Sequence, residues 1–135
     1  MSDKTIFQKI IDREIPSEIW YEDKVITVFF DINPVSFGHS LVISKTPYPW
    51  IQDVPPLELG EIFQRIPMLI NNLKSATNCD FVKLSVVGTD VPHFHLHLIP
   101  INQTNEKAHE AAPDINLKQK DRSELLRSLQ SGIQQ

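Results

Sequence analysis

Apolar residues change their spacing several times along this chain, and each change marks an element. Residues 4–14, KTIFQKIIDRE, put Ile6, Phe7, Ile10 and Ile11 on one helical stripe, with Ser2 or Asp3 in position to cap it and Pro16 to stop it. SEIWYED and then KVITVFFDI, rich in β-branched and aromatic residues, read as two strands joined by a polar turn around Asp23. NPVSFG, residues 33–38, is a loop by its Pro and Gly. HSLVISK, residues 39–45, follows as a short buried strand. A second, Pro-rich loop runs from Pro47 to Pro56.

Residues 57–75 return to helical spacing with Leu59, Ile62, Ile66, Leu69, Ile70 and Leu73, and Pro67 inside that run predicts a kink. FVKLSVV, residues 81–87, and HFHLHLIP, residues 93–100, give a fourth and a fifth strand. After Ile101 the chain turns polar: residues 103–118 read as loop or extended tail, and SELLRSLQSG as a short helix with Leu125, Leu126 and Leu129 on one face. The order predicts an α+β fold, a five-stranded, mainly antiparallel sheet with two main helices. The organisation expected is one domain over residues 1–102 and a polar C-terminal extension over 103–135.

Composition narrows the class. A chain of 135 residues, 41% apolar, is one domain with a core of its own. Thirteen basic against 17 acidic residues leave a net charge of −4, which speaks against a nucleic-acid or membrane surface. The N-terminus has no signal-peptide pattern, and no apolar run approaches the roughly 20 residues of a membrane span. The lone Cys79 forms no internal disulfide and fits a reducing compartment as a small apolar residue. These features predict a soluble, cytoplasmic protein.

Three of the five histidines, His93, His95 and His97, fall at alternate positions. In a strand they share one face, while Phe94, Leu96 and Leu98 point to the core. Two chemistries suit such a row. Two histidines at i and i+2 with a third ligand can hold zinc in an open, catalytic site, although roughly 13 Å of strand separates the outer pair. Alternatively, one neutral imidazole attacks a phosphorus as a nucleophile, and its neighbours orient it and donate to the phosphate oxygens. His109 lies in the polar tail as an exposed residue.

HFHLHLI resembles the signature of the histidine-triad (HIT) nucleotide-binding superfamily. IFQKIIDREIPSEIWYED is similar to that family's opening helix and first strand, and FFDINPVSFGHSLVISK to its Asp-Ile-x-Pro … His-x-Leu-Val-Ile-x-Lys block. Within that superfamily the chain resembles the small purine nucleoside phosphoramidase branch. The resemblance implies a homodimer, with the helix of residues 57–75 at the interface. It implies His95 as the nucleophile at the α-phosphorus, His97 on the phosphate or leaving group, and His93 and His39 as orienting groups. It places Asp31 at the ribose hydroxyls and Ile6, Phe7, Ile10, Phe29 and Ile32 around the purine. The implied reaction is hydrolysis or transfer of a purine nucleotide conjugate, of the phosphoramidate type, with no cofactor and no metal. A nucleotide-binding module with little turnover and a histidine-ligated metal hydrolase are the alternatives.

The pattern departs from the family at GTDVPH, residues 88–93. Thr89 stands in the place of a Gln and offers a hydroxyl donor, and Asp90 stands where a Ser or Thr often meets phosphate. Thr5 and Gln8 occupy the places of the Cys-x-x-Cys found in zinc-binding members, so the resemblance implies no structural zinc there. The family's Trp-containing ending is absent.

Overall fold

The computed structural model describes residues 4–102, 115–118 and 120–133. Its elements are α1 (Ile6–Ile11), β1 (Ile19–Glu22), β2 (Ile26–Phe30), β3 (Ser40–Ser44), α2 (Pro56–Gln64), α3 (Ile66–Thr77), β4 (Phe81–Ser85), β5 (His95–Ile101), α4 (Ile115–Lys118) and α5 (Ser123–Gly132). The sheet order is β1-β2-β3-β5-β4 with every pair antiparallel. The protein is thus α+β with a five-stranded antiparallel sheet.

Local chemistry explains the element ends. Thr5 caps α1, its Oγ1 accepting from Gln8 N–H at 3.0 Å. The predicted caps, Ser2 and Asp3, lie outside the described residues. Arg13 turns the chain with φ 62°, so α1 ends before Pro16 is reached. The β1–β2 hairpin is built on Asp23, whose Oδ1 accepts from Val25 N at 2.7 Å and Ile26 N at 3.0 Å. Its Oδ2 takes Tyr21 Oη–H and Arg65 Nε–H, both at 2.6 Å, which ties the hairpin to α2's end.

The helix expected over residues 57–75 is two helices. Arg65 closes α2, its N–H reaching only back to Ile62 and Phe63, and Pro67 sits in the first turn of α3, where a missing N–H costs nothing. The break leaves Ile62, Ile66, Leu69 and Leu73 on a common buried face. Residues 115–118, expected as loop, form the single turn α4. His109 and residues 103–114 lie outside the described residues.

The sheet is covered on both sides, which is why β2 and β3 are buried throughout. On one face Trp20, Val28, Phe30, Val42, Leu96 and Leu98 pack with α2, α3 and α5. Trp20 reaches this core from a bulge in β1, and its indole N–H donates to Ser40 Oγ at 2.9 Å. Leu125 and Leu129 of α5 join the same core, and Asn72 Nδ2–H donates to the Leu129 carbonyl at 2.8 Å. On the other face a smaller cluster of Phe7, Ile10, Phe29, Leu41 and Ile43 seats α1. Among the described residues no helix is long and apolar enough to cross a membrane.

Asp23 generates a stability prediction. Burial alone would raise its carboxyl, but the bonds from Arg65, Tyr21 and the two backbone N–H groups outweigh it and lower the pKa from 3.8 to about 2. A depressed carboxyl contributes stability above its unfolded value and loses it as pH falls through the folded one. Asp23→Asn should cost roughly 1–3 kcal/mol at neutral pH in urea unfolding, as expected for a lost charged hydrogen bond. Its deficit against wild type should shrink as pH falls from about 4 to about 2. A deficit independent of pH would contradict this account.

Candidate active site

The register of the sheet assembles the site. Leu41 pairs with His97 and Ile43 with His95 across β3 and β5, Phe29 pairs with Leu41, and Ser85 pairs with His97. Phe29, Leu41, His97 and Ser85 therefore form one row on the α1 face. Beside this row lies a cavity of about 560 Å³. Its walls come from α1, the end of β2, the loop after it, β5, and the segment leading into β5.

Ile6, Phe7, Ile10, Phe29, Asp31, Ile32, His39, His95 and His97 of the sequence-predicted residues all line this cavity. Ile6 and Ile32 stand at its rim, exposed by 45% and 60%. Thr89 does not line it and is exposed. His93 is also absent from the wall, fully buried behind it, and it lies outside the strand. The expected alternation of three histidines along one strand therefore holds for His95 and His97 only. The chain turns at His93, whose N–H donates to the Val91 carbonyl at 2.8 Å.

The hydrogen bonds of the four imidazoles fix their proton positions, because a backbone carbonyl only accepts and a backbone N–H only donates. His93 Nε2 lies 2.7 Å from the Ser44 carbonyl and so carries the proton. Its Nδ1 is then an acceptor and takes the Thr5 hydroxyl proton at 2.9 Å. His95 Nδ1 lies 2.8 Å from the His93 carbonyl and must be N–H. That leaves His95 Nε2 as an unprotonated lone pair whenever the ring is neutral. His39 Nδ1 accepts from Val35 N–H at 3.1 Å, so its Nε2 carries the proton and donates to His97 Nδ1 at 2.9 Å. His97 Nε2 is accordingly a donor. The row thus holds one nucleophilic nitrogen beside one N–H donor.

Packing holds this arrangement. Phe7 of α1 sets its ring edge-on to His95, with centroids 4.9 Å apart, and to Phe29 and His93. The ring centres of His95 and His97 stand 5.3 Å apart in an edge-on arrangement, closer than the strand rise alone predicts. Burial pushes His39 down to about 3, helped by His97. Burial also pushes His97 down to about 4, helped by His95 and opposed by Asp90. His93 is lowered mainly by burial. Asp31 is raised by burial, against the N–H of Asn33, which donates to its Oδ1 at 2.8 Å. Among the described residues no Lys or Arg lines the cavity, and Asp90 does.

Asp31, His39 and His97 bring donor atoms within 4.8 Å of one another, which is the spacing of a metal site. The proton positions oppose it. Val35 N–H occupies His39 Nδ1, so a metal on Nε2 would require either an imidazolate or the loss of that bond. Sequence reading missed Ser85, Asn33, Val91 and Leu41 on the wall, and the backbone groups of Val35, Ser44 and His93 that set the tautomers. Backbone groups leave no residue-type signal. Ser85 and Leu41 become visible only once the register is known.

A family model described as HIT domain matches residues 12–104. The adenylylsulfatase HINT3 of Arabidopsis thaliana is 36% identical over 100 residues, 70% of this chain and 51% of its own, so this chain spans about half its length. A purine nucleoside phosphoramidase of Escherichia coli K12 is 48% identical over 54 residues, 40% of this chain and 45% of its own. A crystal structure of a HIT family protein from Bacillus anthracis superposes with a TM-score of 0.73 at 37% identity, covering 79% of each chain.

The buried neutral imidazoles carry a pH signature. With His39 and His97 held at about 3 and about 4, the unfolded chain binds more protons than the fold below its ordinary histidine value of 6.5. Stability therefore falls as pH drops from about 6.5 toward about 4. His39→Asn should flatten this fall in urea titrations, and a slope equal to wild type would contradict a neutral buried His39.

Proposed function

This chain belongs to the HIT domain family, and from that premise we propose that it is a nucleotide hydrolase or nucleotidyl transferase acting at the α-phosphorus of a purine nucleotide conjugate. The observation that carries the reading is the bond from His95 Nδ1–H to the His93 carbonyl, which directs a lone pair on Nε2 into the reaction. The hydrolase and phosphoramidase names of the relatives support a nucleotide-related hydrolase.

In this reading Nε2 of His95 attacks the α-phosphorus and forms a P–N bond. The bond to the leaving group breaks, and the leaving group departs with its electron pair and takes a proton from solvent. His97 Nε2–H donates to a phosphate oxygen as charge develops. The His93 carbonyl stabilises the positive charge that His95 acquires on becoming nucleotidylated. Water then attacks the phosphorus, the P–N bond breaks with its electron pair returning to His95 Nε2, the proton of the water passes to solvent, and the nucleotide is released. Phe7, Ile10, Phe29 and Ile32 offer the purine an apolar slot, and Asp31 accepts the ribose hydroxyls.

The same reading includes a homodimer. Strand β4 is an edge of the sheet, where a second copy's sheet would join, with the helical segment over residues 57–75 at the interface. Sedimentation should give twice the chain mass of 15.5 kDa; a monomer at working concentrations removes the dimer.

Asp90 on the cavity wall favours one alternative, a module that binds a nucleotide and turns it over little, because a second carboxylate repels phosphate. The test separates the two. Wild type should release AMP from adenosine 5′-phosphoramidate in EDTA, and His95→Asn should release at least about a hundredfold less, since loss of a covalent nucleophile removes several kcal/mol of barrier lowering. Micromolar binding without release would favour the binding module. Equal release by both proteins would mean that His95 is not the nucleophile.

A further inference from the structure

The segment leading into α5 lies beyond the residues the family model matches, yet it holds the loop that carries two site residues. That loop runs from Asp31 to His39 and closes on itself through Asp31 N–H to the His39 carbonyl at 3.0 Å. Arg122 reaches it with one arm of its guanidinium, Nη1–H donating to the Asp31 carbonyl at 3.1 Å. The other arm, Nη2–H, donates to Glu18 Oε1 at 2.6 Å, and the guanidinium lies 5.4 Å from the Phe30 ring centre. The Arg122 side chain is only 12% exposed, so this is a largely enclosed fork with each arm committed. Lys120 places its ammonium 4.3 Å from the Phe37 ring centre, further along the same loop. Leu125 lies where a Cβ on Gly38 would come within 3.6 Å of it.

We propose that Arg122 is a positioning residue for Asp31, fixing the backbone from which the ribose-binding carboxylate projects. This role rests on Asp31 holding the ribose hydroxyls in the proposed reaction. A planar fork with one arm on Glu18 and the other on the Asp31 carbonyl sets both the place and the orientation of that peptide. Burial raises the Asp31 carboxyl, and the Arg122 charge opposes it beside the Asn33 N–H and His95. Arg122 is not among the residues that line the cavity.

The experiment is calorimetric binding of AMP and of 2′,3′-dideoxy-AMP to wild type, Arg122→Ala and Arg122→Lys. The dideoxy nucleotide has no hydroxyls for Asp31 to accept, so it reports everything except the positioning. Wild type should prefer AMP. Arg122→Ala should weaken AMP by about tenfold, the loss of one charged hydrogen bond, and leave the dideoxy nucleotide unchanged. Arg122→Lys keeps the charge without the fork and should restore part of the preference. Equal weakening of both nucleotides, or an undiminished preference, overturns the proposal. A wild type that does not distinguish the two overturns the ribose role of Asp31 and this inference with it, an outcome visible without any variant. Should Arg122→Ala lose its fold by circular dichroism, Arg122→Lys decides: a preference equal to wild type overturns the proposal and a reduced one supports it.

Discussion

The N–H of Val35 sets the polarity of half the site. It occupies one nitrogen of His39, and because a neutral imidazole has one proton, that proton must sit on the other nitrogen and point at His97. His97 is in turn committed to donating outward. Nothing in the imidazoles themselves chooses this direction, since each can hold its proton on either side. The choice is made by the 31–39 loop, which is closed by its own backbone bond and turned by Gly38 at φ +95°. A Cβ there would approach Thr77 Cγ2 to 2.9 Å, so the loop is fitted against α3 as well as against the sheet. The second chain of bonds has its own fixed end at the Ser44 carbonyl. Strand β3 therefore anchors both chains, with His39 just before its first residue and Ser44 as its last.

Burial gives these chains their chemical value. In water an imidazole exchanges protons and tautomers freely, and a row of three would be a mixture of charge states near neutral pH. Enclosed by Phe7 and the apolar wall, His39 and His97 remain neutral well below their ordinary range. With no lysine or arginine on the described wall, a bound phosphate would meet imidazole and backbone dipoles in place of a basic side chain. Preorganised dipoles in a dry site stabilise developing charge without rearranging. In the proposed reaction this suits a phosphorus centre of low charge better than a long polyphosphate, since Asp31 and Asp90 repel each added negative group.

How much of this the sequence revealed follows from range. The strands, α1 and the apolar alternation of Phe94, Leu96 and Leu98 depend on neighbours a few residues apart, and periodicity reports them. The break at Arg65 is a near miss of the same kind: Pro67 announced a disturbance, but whether a helix bends or restarts depends on the core that receives Ile62 and Ile66. The cap of α1 was displaced to Thr5 because its hydroxyl serves two masters, the Gln8 N–H and His93, 88 positions away. Arg122 and Asp31 are 91 positions apart. No local pattern encodes such pairs, and a polar tail with one sticky helical face gave no sign that its basic residues fold back over a loop near the start of the chain.

The position of His93 shows why the departure from a regular strand matters. Had the ladder of β5 continued through His93, its carbonyl would have pointed along the sheet toward a neighbouring strand, as ladder carbonyls do. The pairing of β5 with β3 instead ends at His95 opposite Ile43. One residue earlier the chain has already left the sheet through the Val91–His93 turn, with Pro92 inside it favouring the bend. This frees the His93 carbonyl to accept from His95 Nδ1 and carries the His93 ring behind the wall to Ser44 and Thr5. The three histidines are thus equivalent in sequence and distinct in structure. One is a buried strut, one is held through Nδ1 by that strut's backbone carbonyl, and one is polarised from the opposite end by His39. The alternation brings His95 and His97 to one face, and the end of the strand gives them different work.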